Sequence, residues 1–258
     1  MGKHIKDIAV PQGKKVYFAS DFHLGVPSFA ESLEREKKVV AWLSEIQYSA
    51  THVFLLGDIF DFWFEYKYTI PKGYVRLLGK LMQLRDSGVP VTIFTGNHDM
   101  WMFRYFQEEF DIPVFRDPLA VNIQDRKCFI GHGDGLGPGD RKYKIIKSFF
   151  TNKTAQRFFR WIHPDVGFRL ANYWSKKSRL KNLEADQRNF GEDEWLIKFC
   201  REQEEMEHHD FYIFGHRHLP LDVKINEKSR YINLGDWINS YTYAEFDGRD
   251  FYLKTYEF

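Results

Sequence analysis

The sequence predicts an α/β protein built on a mainly parallel β-sheet, with a second β-sheet packed against the first and a helical insertion. Three observations predict this class. Apolar β-type runs alternate with helical spacing early in the chain, closely spaced β-type runs follow, and a polar and aromatic stretch of about residues 140–208 interrupts them. Alternating strands and helices are typical of βαβ units, and runs of strands are typical of a separate sheet.

The early part of the chain contains three strand signals and two helix signals. The strand signals are apolar β-type runs at 15–20, 53–56 and 91–94. Helical apolar spacing lies between them, at 32–47 and 74–85. The turn signal Ser87-Gly88, with Pro90 behind it, separates the second helix from the third strand. We therefore expect these strands to form one mainly parallel sheet.

After Met100 the β-type runs are more closely spaced. They lie at 113–115, 119–123, 127–130, 211–214, 221–225, 231–234, 242–246 and 251–256. This spacing predicts a second, mixed or antiparallel sheet packed on the first. Residues of about 140–208 lack strand-like alternation, and we interpret them as a helical insertion within a single domain covering 1–258.

Composition allows one large folded domain. The 258 residues are 43% apolar and 18% aromatic, enough for a full hydrophobic core. The 37 basic and 36 acidic residues leave a net charge of +1, so no whole-molecule field favours nucleic acid. Cys128 in a predicted strand and Cys200 in a predicted helix fit buried reduced thiols. With no signal-peptide run in residues 1–15, we expect a cytoplasmic protein.

Motifs rich in aspartate, asparagine and histidine follow directly on apolar strands. They are Ser20-Asp21-Phe22-His23, Gly57-Asp58-Ile59-Phe60-Asp61, Gly96-Asn97-His98-Asp99, Gly131-His132-Gly133-Asp134 and Gly215-His216-Arg217-His218. In open α/β sheets, loops beyond the carboxyl ends of the strands meet in one crevice. We therefore expect these distant segments to form one site.

The donors in these motifs predict a site for two divalent metal ions. Asp21-x-His23 and His216-x-His218 each place two side chains on the same side of an extended segment. Carboxylate, amide and imidazole donors without cysteine suit Mn, Fe or Zn, of which we expect Mn²⁺. Asp58, which stands alone behind Gly57, is the candidate bridge between ions roughly 3.5 to 4 Å apart.

Each motif alone has a structural alternative. An aspartate after a strand is commonly a turn former or helix cap, a single histidine such as His132 is commonly structural, and Gly96-Asn97-His98-Asp99 also fits a polar turn. Their joint occurrence, each at a strand end, favours the metal site.

In this order the motifs resemble the calcineurin-like metallophosphoesterase superfamily: D-x-H, G-D, G-N-H-D/E, a lone H and G-H-x-H. All of these blocks occur between Asp21 and His218. The resemblance implies two mixed β-sheets sandwiched between helices, the αββα arrangement, and a two-metal phosphoester hydrolase. It implies one metal surrounded by Asp21, His23, Asp58 and His218, and another surrounded by Asp58, Asn97, His132 and His216.

The third motif also supplies two candidate catalytic residues. His98 follows the ligand candidate Asn97 without being a ligand candidate itself, so we assign it to transition-state charge or leaving-group protonation. Asp99 either holds the His98 imidazole in orientation or caps the turn, and both alternatives stay open at this point.

Residues around the motifs resemble a narrower family, the UDP-2,3-diacylglucosamine diphosphatases of the lipid A pathway. There, G-D-x-F-(x)2-W recurs, as does H-G-D followed by D-x-x-Y. Here Trp63 follows Asp58, and Asp140 and Tyr143 follow His132. The resemblance implies cleavage of the substrate pyrophosphate to UMP and 2,3-diacylglucosamine 1-phosphate. We assign substrate contacts to Asn97, Trp63, Asp140 and Tyr143, with core packing as the alternative for Trp63.

One position departs from the narrower family, because many members have arginine where this sequence has His98. Arginine offers a fixed charged fork for phosphate, whereas histidine can also transfer a proton. Two alternatives to the diphosphatase function therefore stay open. The first is a soluble nucleotide phosphodiesterase or protein phosphatase of the same superfamily, and the second is a non-catalytic lipid-binding protein.

The insertion predicts a lipid-facing surface. From Arg141 to Lys181 it contains twelve lysines or arginines against one acid, Asp165, together with many aromatic residues. Such a segment can lie on an anionic membrane and admit acyl chains. The alternative is a local core with a solvated basic face, complemented by the acidic stretch 184–210. The implied partners are a UDP-linked acylated glucosamine and the cytoplasmic face of the inner membrane, and no nucleic acid is expected.

Overall fold

The computed structural model describes residues 7–137, 150–171, 173–175 and 190–258, together with residues 5, 144, 147 and 148. The strands are β1 (Lys15–Ala19), β2 (Ala50–Leu56), β3 (Val91–Phe94), β4 (Val114–Phe115), β5 (Leu119–Ile123), β6 (Arg126–Ile130), β7 (Phe211–Phe214), β8 (Pro220–Lys224), β9 (Arg230–Leu234), β10 (Thr242–Phe246) and β11 (Phe251–Thr255). The helices are α1 (Phe29–Ile46), α2 (Val75–Asp86), α3 (Tyr105–Phe110), α4 (Lys153–Phe159) and α5 (Trp195–Met206), with further helical residues at 164–171.

The first sheet has the order β11-β10-β1-β2-β3-β4. Strands β1 to β4 run parallel to one another, while β10 pairs antiparallel with both β1 and β11. In this register Phe18 lies opposite both Phe54 and Ala244. Because β1, β2 and β3 run in the same direction, the loops carrying the first three motifs leave the sheet at one edge.

The second sheet has the order β5-β6-β7-β9-β8. Its central strands β6, β7 and β9 are parallel, and the edge strands β5 and β8 are antiparallel. Strands β6 and β7 end just before the motifs that contain His132 and His216, and β9 ends just before Asp236. The second sheet therefore also delivers its polar motifs at the carboxyl ends of parallel strands.

The molecule is layered as helix, sheet, sheet, helix. Side chains such as Phe18 and Phe54 fill the space between the sheets, and these two rings stack with centroids 5.1 Å apart. Alternate residues of β1, Tyr17 and Ala19, point to the other face, under α1 to α3. Helix α5 covers the outer face of the second sheet through apolar residues such as Leu196. The predicted αββα arrangement is confirmed.

Helix α1 helps to position the first motif. It begins behind Ser28, whose hydroxyl accepts a hydrogen bond from the backbone N–H of Glu31 at 3.3 Å, as N-cap residues do. The buried Arg35 on this helix donates from Nε to the carbonyl oxygen of Phe22 at 2.7 Å and from Nη2 to that of His23 at 2.8 Å. The helix therefore holds the loop that follows β1 directly.

Three strands lie in a different sheet from the one that their spacing predicted. Strands β4, β10 and β11 belong to the first sheet, not to the second. The antiparallel β10 is placed against β1 by long-range pairing, including an ion pair of 2.7 Å between Lys15 and Glu245. Local periodicity identifies a strand but carries no information on which strand pairs with it.

Both cysteines are buried and free, Cys128 in β6 and Cys200 in α5, as predicted. Among the helices that the structure describes, none has the length and apolarity needed to cross a bilayer.

Candidate metal centre

The motif residues that lie far apart in sequence come together at the carboxyl edge of the two sheets. The Nε2 atoms of His23 and His218 are 3.0 Å apart, and Asp21 Oδ1 lies 3.3 Å from the latter. Ligating atoms of Asp21, His23 and His218 all lie within 4.8 Å of one another. These residues come from both sheets, so the site exists only when the sheets are packed together.

A second group of donors adjoins the first. The ligating atoms of Asp21, Asp58 and His132 lie within 4.8 Å of one another. Asn97 Oδ1 is 3.2 Å from His132 Nε2, and the His216 ring centroid lies 5.2 Å from that of His132. All of the predicted ligand residues are therefore in the same cluster.

Asp58 lies between the two groups. Its Oδ2 atom is 3.4 Å from His132 Nε2 and 3.7 Å from His23 Nε2. Its Oδ1 atom accepts a hydrogen bond of 2.8 Å from the backbone N–H of His98. This placement fits a carboxylate that bridges two cations, because it faces a histidine of each group.

The backbone of the cluster is unusual at several positions. Positive φ angles occur at Asp21 (57°), His23 (43°), Asp58 (50°), His216 (70°) and His218 (41°). Non-glycine residues rarely adopt this left-handed region, and such conformations persist only where the surrounding structure imposes them. Their concentration here marks the cluster as a functional site.

Gly96 allows the loops after β2 and β3 to approach each other. A Cβ atom at this position would overlap the Asp58 carboxylate and lie 2.6 Å from the Asp58 backbone nitrogen. Only glycine leaves room for that carboxylate.

Two observations on the protein's own atoms fit bound cations. The buried Oδ1 of Asp21 is engaged in a hydrogen bond by no group of the described residues. His132 Nδ1 lies 2.7 Å from the carbonyl oxygen of Leu56, which can only accept, so Nδ1 carries the proton. In the neutral ring, the form that binds a metal, His132 Nε2 is then the free nitrogen, and it faces Asp58 and Asn97.

The electrostatics of the cluster are dominated by aspartate and histidine. Burial lowers the pKa of His23, but the nearby carboxylates of Asp21, Asp61 and Asp58 outweigh burial and raise the pKa to about 10. Burial also lowers the pKa of His132, but Asp58 outweighs it and raises that pKa to about 10. The Asp58 carboxyl, despite burial, has a pKa below its usual range because of the His132 charge. The carboxylates are therefore ionised and attract cations.

The residue beside the His98 ring is Asp61. His98 Nδ1 lies 3.1 Å from the carbonyl oxygen of Asp61 and 3.5 Å from its Oδ1 atom. The other carboxylate oxygen of Asp61 accepts a hydrogen bond of 2.7 Å from Ser175 Oγ. Sequence reasoning assigned no role to Asp61 or Ser175. The available signal for Asp61 was its position three residues after Asp58 in the same motif, whereas nothing local distinguishes Ser175.

Asp99 has a different environment from the one needed to orient His98. Its fully buried carboxylate accepts backbone hydrogen bonds from Gly96 at 2.7 Å and from Ile59 at 2.8 Å. Burial and the nearby Asp58 charge raise its pKa to about 7. These contacts favour the turn-capping alternative, because the carboxylate ties together the loops after β2 and β3.

Trp63 lies in the core instead of the substrate cleft. Its side chain is fully buried, stacks on Phe60 with centroids 4.4 Å apart, and donates from Nε1 to Glu65 Oε1 at 3.3 Å. The surrounding aromatic cluster encloses the ring, which favours core packing, the alternative named for Trp63, over a substrate contact. Asn97 remains partly exposed at the site. The predicted contacts Asp140 and Tyr143 lie outside the described residues.

Sequence comparison decides the family. The calcineurin-like phosphoesterase family matches residues 14–220, which contain all of the clustered motifs. The chain belongs to the calcineurin-like phosphoesterase family. A phosphoesterase family agrees with the donor cluster, whose groups could hold metal ions.

Among the calcineurin-like phosphoesterases, the chain is similar to proteins of one narrower group. A UDP-2,3-diacylglucosamine hydrolase of Porphyromonas gingivalis is 37% identical over 94% of this chain and 98% of its own. A protein of the same name from Yersinia pestis is 29% identical over 79% of this chain and 81% of its own. The crystal structure of a Streptococcus pneumoniae protein described as a predicted phosphoesterase is 13% identical, covers 90% of this chain and 81% of its own, and superposes with a TM-score of 0.41. The resemblance predicted from the sequence is confirmed.

Proposed function

We propose that this calcineurin-like phosphoesterase hydrolyses the pyrophosphate of UDP-2,3-diacylglucosamine to UMP and 2,3-diacylglucosamine 1-phosphate. The observation that carries the proposal is the 37% identity with the Porphyromonas hydrolase of that name over nearly the full length of both chains. The match covers the insertion region as well as the metal motifs, so it bears on the substrate as well as on the reaction type.

We assign the donor cluster to two divalent ions, with Mn²⁺ as the expected metal. Asp21, His23, Asp58 and His218 would hold one ion, and Asp58, Asn97, His132 and His216 would hold the other. The oxygen and nitrogen donors suit this metal. When bound, the ions supply an activated water and neutralise charge on the phosphoryl oxygens.

His98 is the proposed general acid. Its Nδ1 side faces Asp61, which favours one ring orientation and supports positive charge on the imidazole. We assign the other ring nitrogen to protonation of the leaving phosphate oxygen. In this scheme Asp61 orients His98, and Ser175 holds the Asp61 carboxylate from the insertion side.

A polar cavity beside the cluster, with a small excess of cations, supports a phosphorylated substrate. The cavity has a volume of about 480 Å³ and reaches Gly96 and Asp134, which flank the proposed ligands. Its lining includes the cations Arg116, Lys144 and Lys147 and the acids Asp117 and Asp134, of which Asp134 pairs with Lys147 at 2.7 Å. This volume lies within the range of small-molecule sites, and the cations favour an anionic ligand.

The described part of the insertion supports contact with an anionic membrane. Exposed aromatic side chains occur at Phe158 (72% exposed) and Trp161 (89% exposed). Arg157 and Arg160 lie on the same short segment. Aromatic side chains beside cations are typical of segments that lie in the lipid interface. We therefore place the enzyme at the cytoplasmic face of the inner membrane, where an acylated substrate is presented.

The experiment that tests this proposal compares two nucleotide sugars. The Mn²⁺-loaded protein is incubated with UDP-2,3-diacylglucosamine and, separately, with unacylated UDP-N-acetylglucosamine, and the products are identified by mass spectrometry. We expect UMP from the acylated compound only. Equal turnover of both compounds would contradict the lipid substrate and favour a soluble nucleotide phosphodiesterase.

A further inference from the structure

A buried ion pair lies directly behind the last metal motif. Arg217, between His216 and His218, is 1% exposed, and its partner Glu194 is fully buried. Arg217 donates from Nε to Glu194 Oε1 at 2.8 Å and from Nη2 to Oε2 at 3.2 Å. The guanidinium carbon lies 4.5 Å from the centroid of the Trp195 ring. This two-point contact fixes the direction of the arginine side chain as well as its position.

Glu194 connects the pair to helix α5. It lies immediately before the first residue of α5 and follows the short 3-10 helix Gly191–Asp193. The helix packs on the outer face of the second sheet through Leu196 and Ile197. The pair therefore joins the beginning of α5 to the tip of the loop after β7.

The same loop is held from the opposite side by the metal cluster. The backbone N–H of Gly215 donates to the carbonyl oxygen of His132 at 3.0 Å, and that of His216 donates to Asp21 Oδ2 at 3.0 Å. His216 and His218 both have positive φ angles, which the loop would not keep without support on both sides. Arg217 provides that support on the α5 side.

We propose that Arg217 is a positioning residue for both metal ions. Its contact with Glu194 sets the spacing of His216 and His218. The proposed ligand assignment gives these two histidines to different ions, and the inference rests on that assignment. Replacing Arg217 and Glu194 by an apolar pair of similar volume would fill the space, and such replacements often leave the stability of the folded protein unchanged. The apolar pair would, however, form no directional bond. Packing and positioning can therefore be separated.

The test is the double variant R217M/E194M. We expect its metal-free form to unfold near the wild-type temperature, because the apolar pair preserves packing. Isothermal titration with Mn²⁺ should show binding at least about tenfold weaker for both ions, as for other groups that support metal ligands. The electron paramagnetic resonance signal of a coupled Mn²⁺ pair should be lost at a concentration that saturates the wild type. The kcat for bis-p-nitrophenyl phosphate should fall with little change in KM.

Two further variants complete the design. R217K, which keeps the charge without the fork, should restore binding only in part. R230Q/D222N is the control, because it removes the ion pairs of Arg230 with Asp222 (Nε to Oδ1 at 3.1 Å) and with Asp250, at the far end of β9 in the same sheet. It should bind both ions like the wild type.

Several outcomes would overturn the inference. Wild-type Mn²⁺ affinity and an unchanged pair signal in R217M/E194M would show that the ion pair only fills space. If that variant does not fold, E194Q is measured in the same way, and wild-type metal binding in E194Q overturns the inference equally. Absence of a Mn²⁺ pair in the wild type would instead refute the ligand assignment. None of these measurements uses the lipid substrate, so a wrong substrate proposal does not affect them.

Discussion

At the scale of single residues, a substitution of His98 can distinguish a catalytic role from a role in metal binding. It lies beside the cluster, with its ring centroid 4.8 Å from that of His23, yet its Nδ1 atom faces Asp61. We expect H98A to keep both metals and to lose about 10² to 10⁴ fold in turnover, the usual range for a proton-transfer group. Metal content by mass spectrometry and kcat with a soluble phosphodiester would check this.

The exposed His163 provides the control for that substitution, since H163A removes an imidazole of the insertion that is 72% exposed. Its turnover should equal that of the wild type. Loss of a metal ion in H98A would contradict the assignment and make His98 a ligand or the support of one.

The raised pKa values of His23 and His132 predict proton release on metal binding. Both values are about 10, so both imidazoles are protonated at neutral pH in the metal-free protein. A cation must displace these protons, so binding at pH 7.5 should release about two protons and strengthen as the pH rises toward 10. Titration calorimetry with Mn²⁺ in buffers of different ionisation enthalpy measures the number. Metal affinity that does not change between pH 6 and pH 9 would contradict this account.

At the scale of elements, the approach of the loops after β2 and β3 depends on Gly96. The substitution G96A places a methyl group against the Asp58 carboxylate, which must move away from its position between the two histidines. We expect Mn²⁺ affinity to fall by at least about tenfold, as when other supports of metal ligands are lost.

The matched control is G79A, because Gly79 in α2 has no atom within 4 Å of an added Cβ. That variant should keep its metals and gain up to about 1 kcal/mol in the free energy of unfolding, since alanine favours helices over glycine. Equal Mn²⁺ affinity in G96A and G79A would show that the loop approach does not matter for metal binding.

Helix α4 and the residues just after it give a second prediction at the scale of elements. The double variant F158S/W161S removes two exposed aromatic side chains, each worth about 1.5 to 3 kcal/mol if buried in lipid. Cosedimentation with vesicles containing anionic lipid should fall by about tenfold or more, while hydrolysis of a soluble phosphodiester stays unchanged.

Tyr48 is the control for the aromatic segment, because it is 79% exposed in the turn before β2, on the amino side of that strand. Y48S should bind vesicles like the wild type. If vesicle binding and soluble activity fall together in F158S/W161S, these aromatic residues serve the fold instead of the membrane.

Across the whole molecule, the sequence predicted the fold class and the clustered motifs because both depend on local signals. Strand-end motifs converge wherever parallel strands of one sheet share a direction, so the meeting of Asp21 with Asp58 follows from periodicity. The meeting of Asp21 with His218 also requires the two sheets to pack together. The start of α1 was missed by one turn, because helical spacing begins at Ser32 whereas the cap is Ser28.

Features that depend on distant contacts were not predictable in the same way. The pairing of β10 with β1, the enclosure of Trp63 and the contact between Ser175 and Asp61 each join residues from separate segments. Local composition is identical whether or not these contacts form. The Arg217–Glu194 pair belongs to the same class, since the intervening chain contains a helix and a strand.

We propose that this protein cleaves an acylated UDP-sugar and that the reaction requires two metal ions on these residues. The most direct test is UMP release from UDP-2,3-diacylglucosamine by metal-stripped protein as Mn²⁺ is added, with D58N in parallel. We predict a rate that rises until about two equivalents are bound, and no comparable rate in D58N at any Mn²⁺ concentration. Full-rate UMP release by the metal-stripped protein, or by D58N, would contradict the claim.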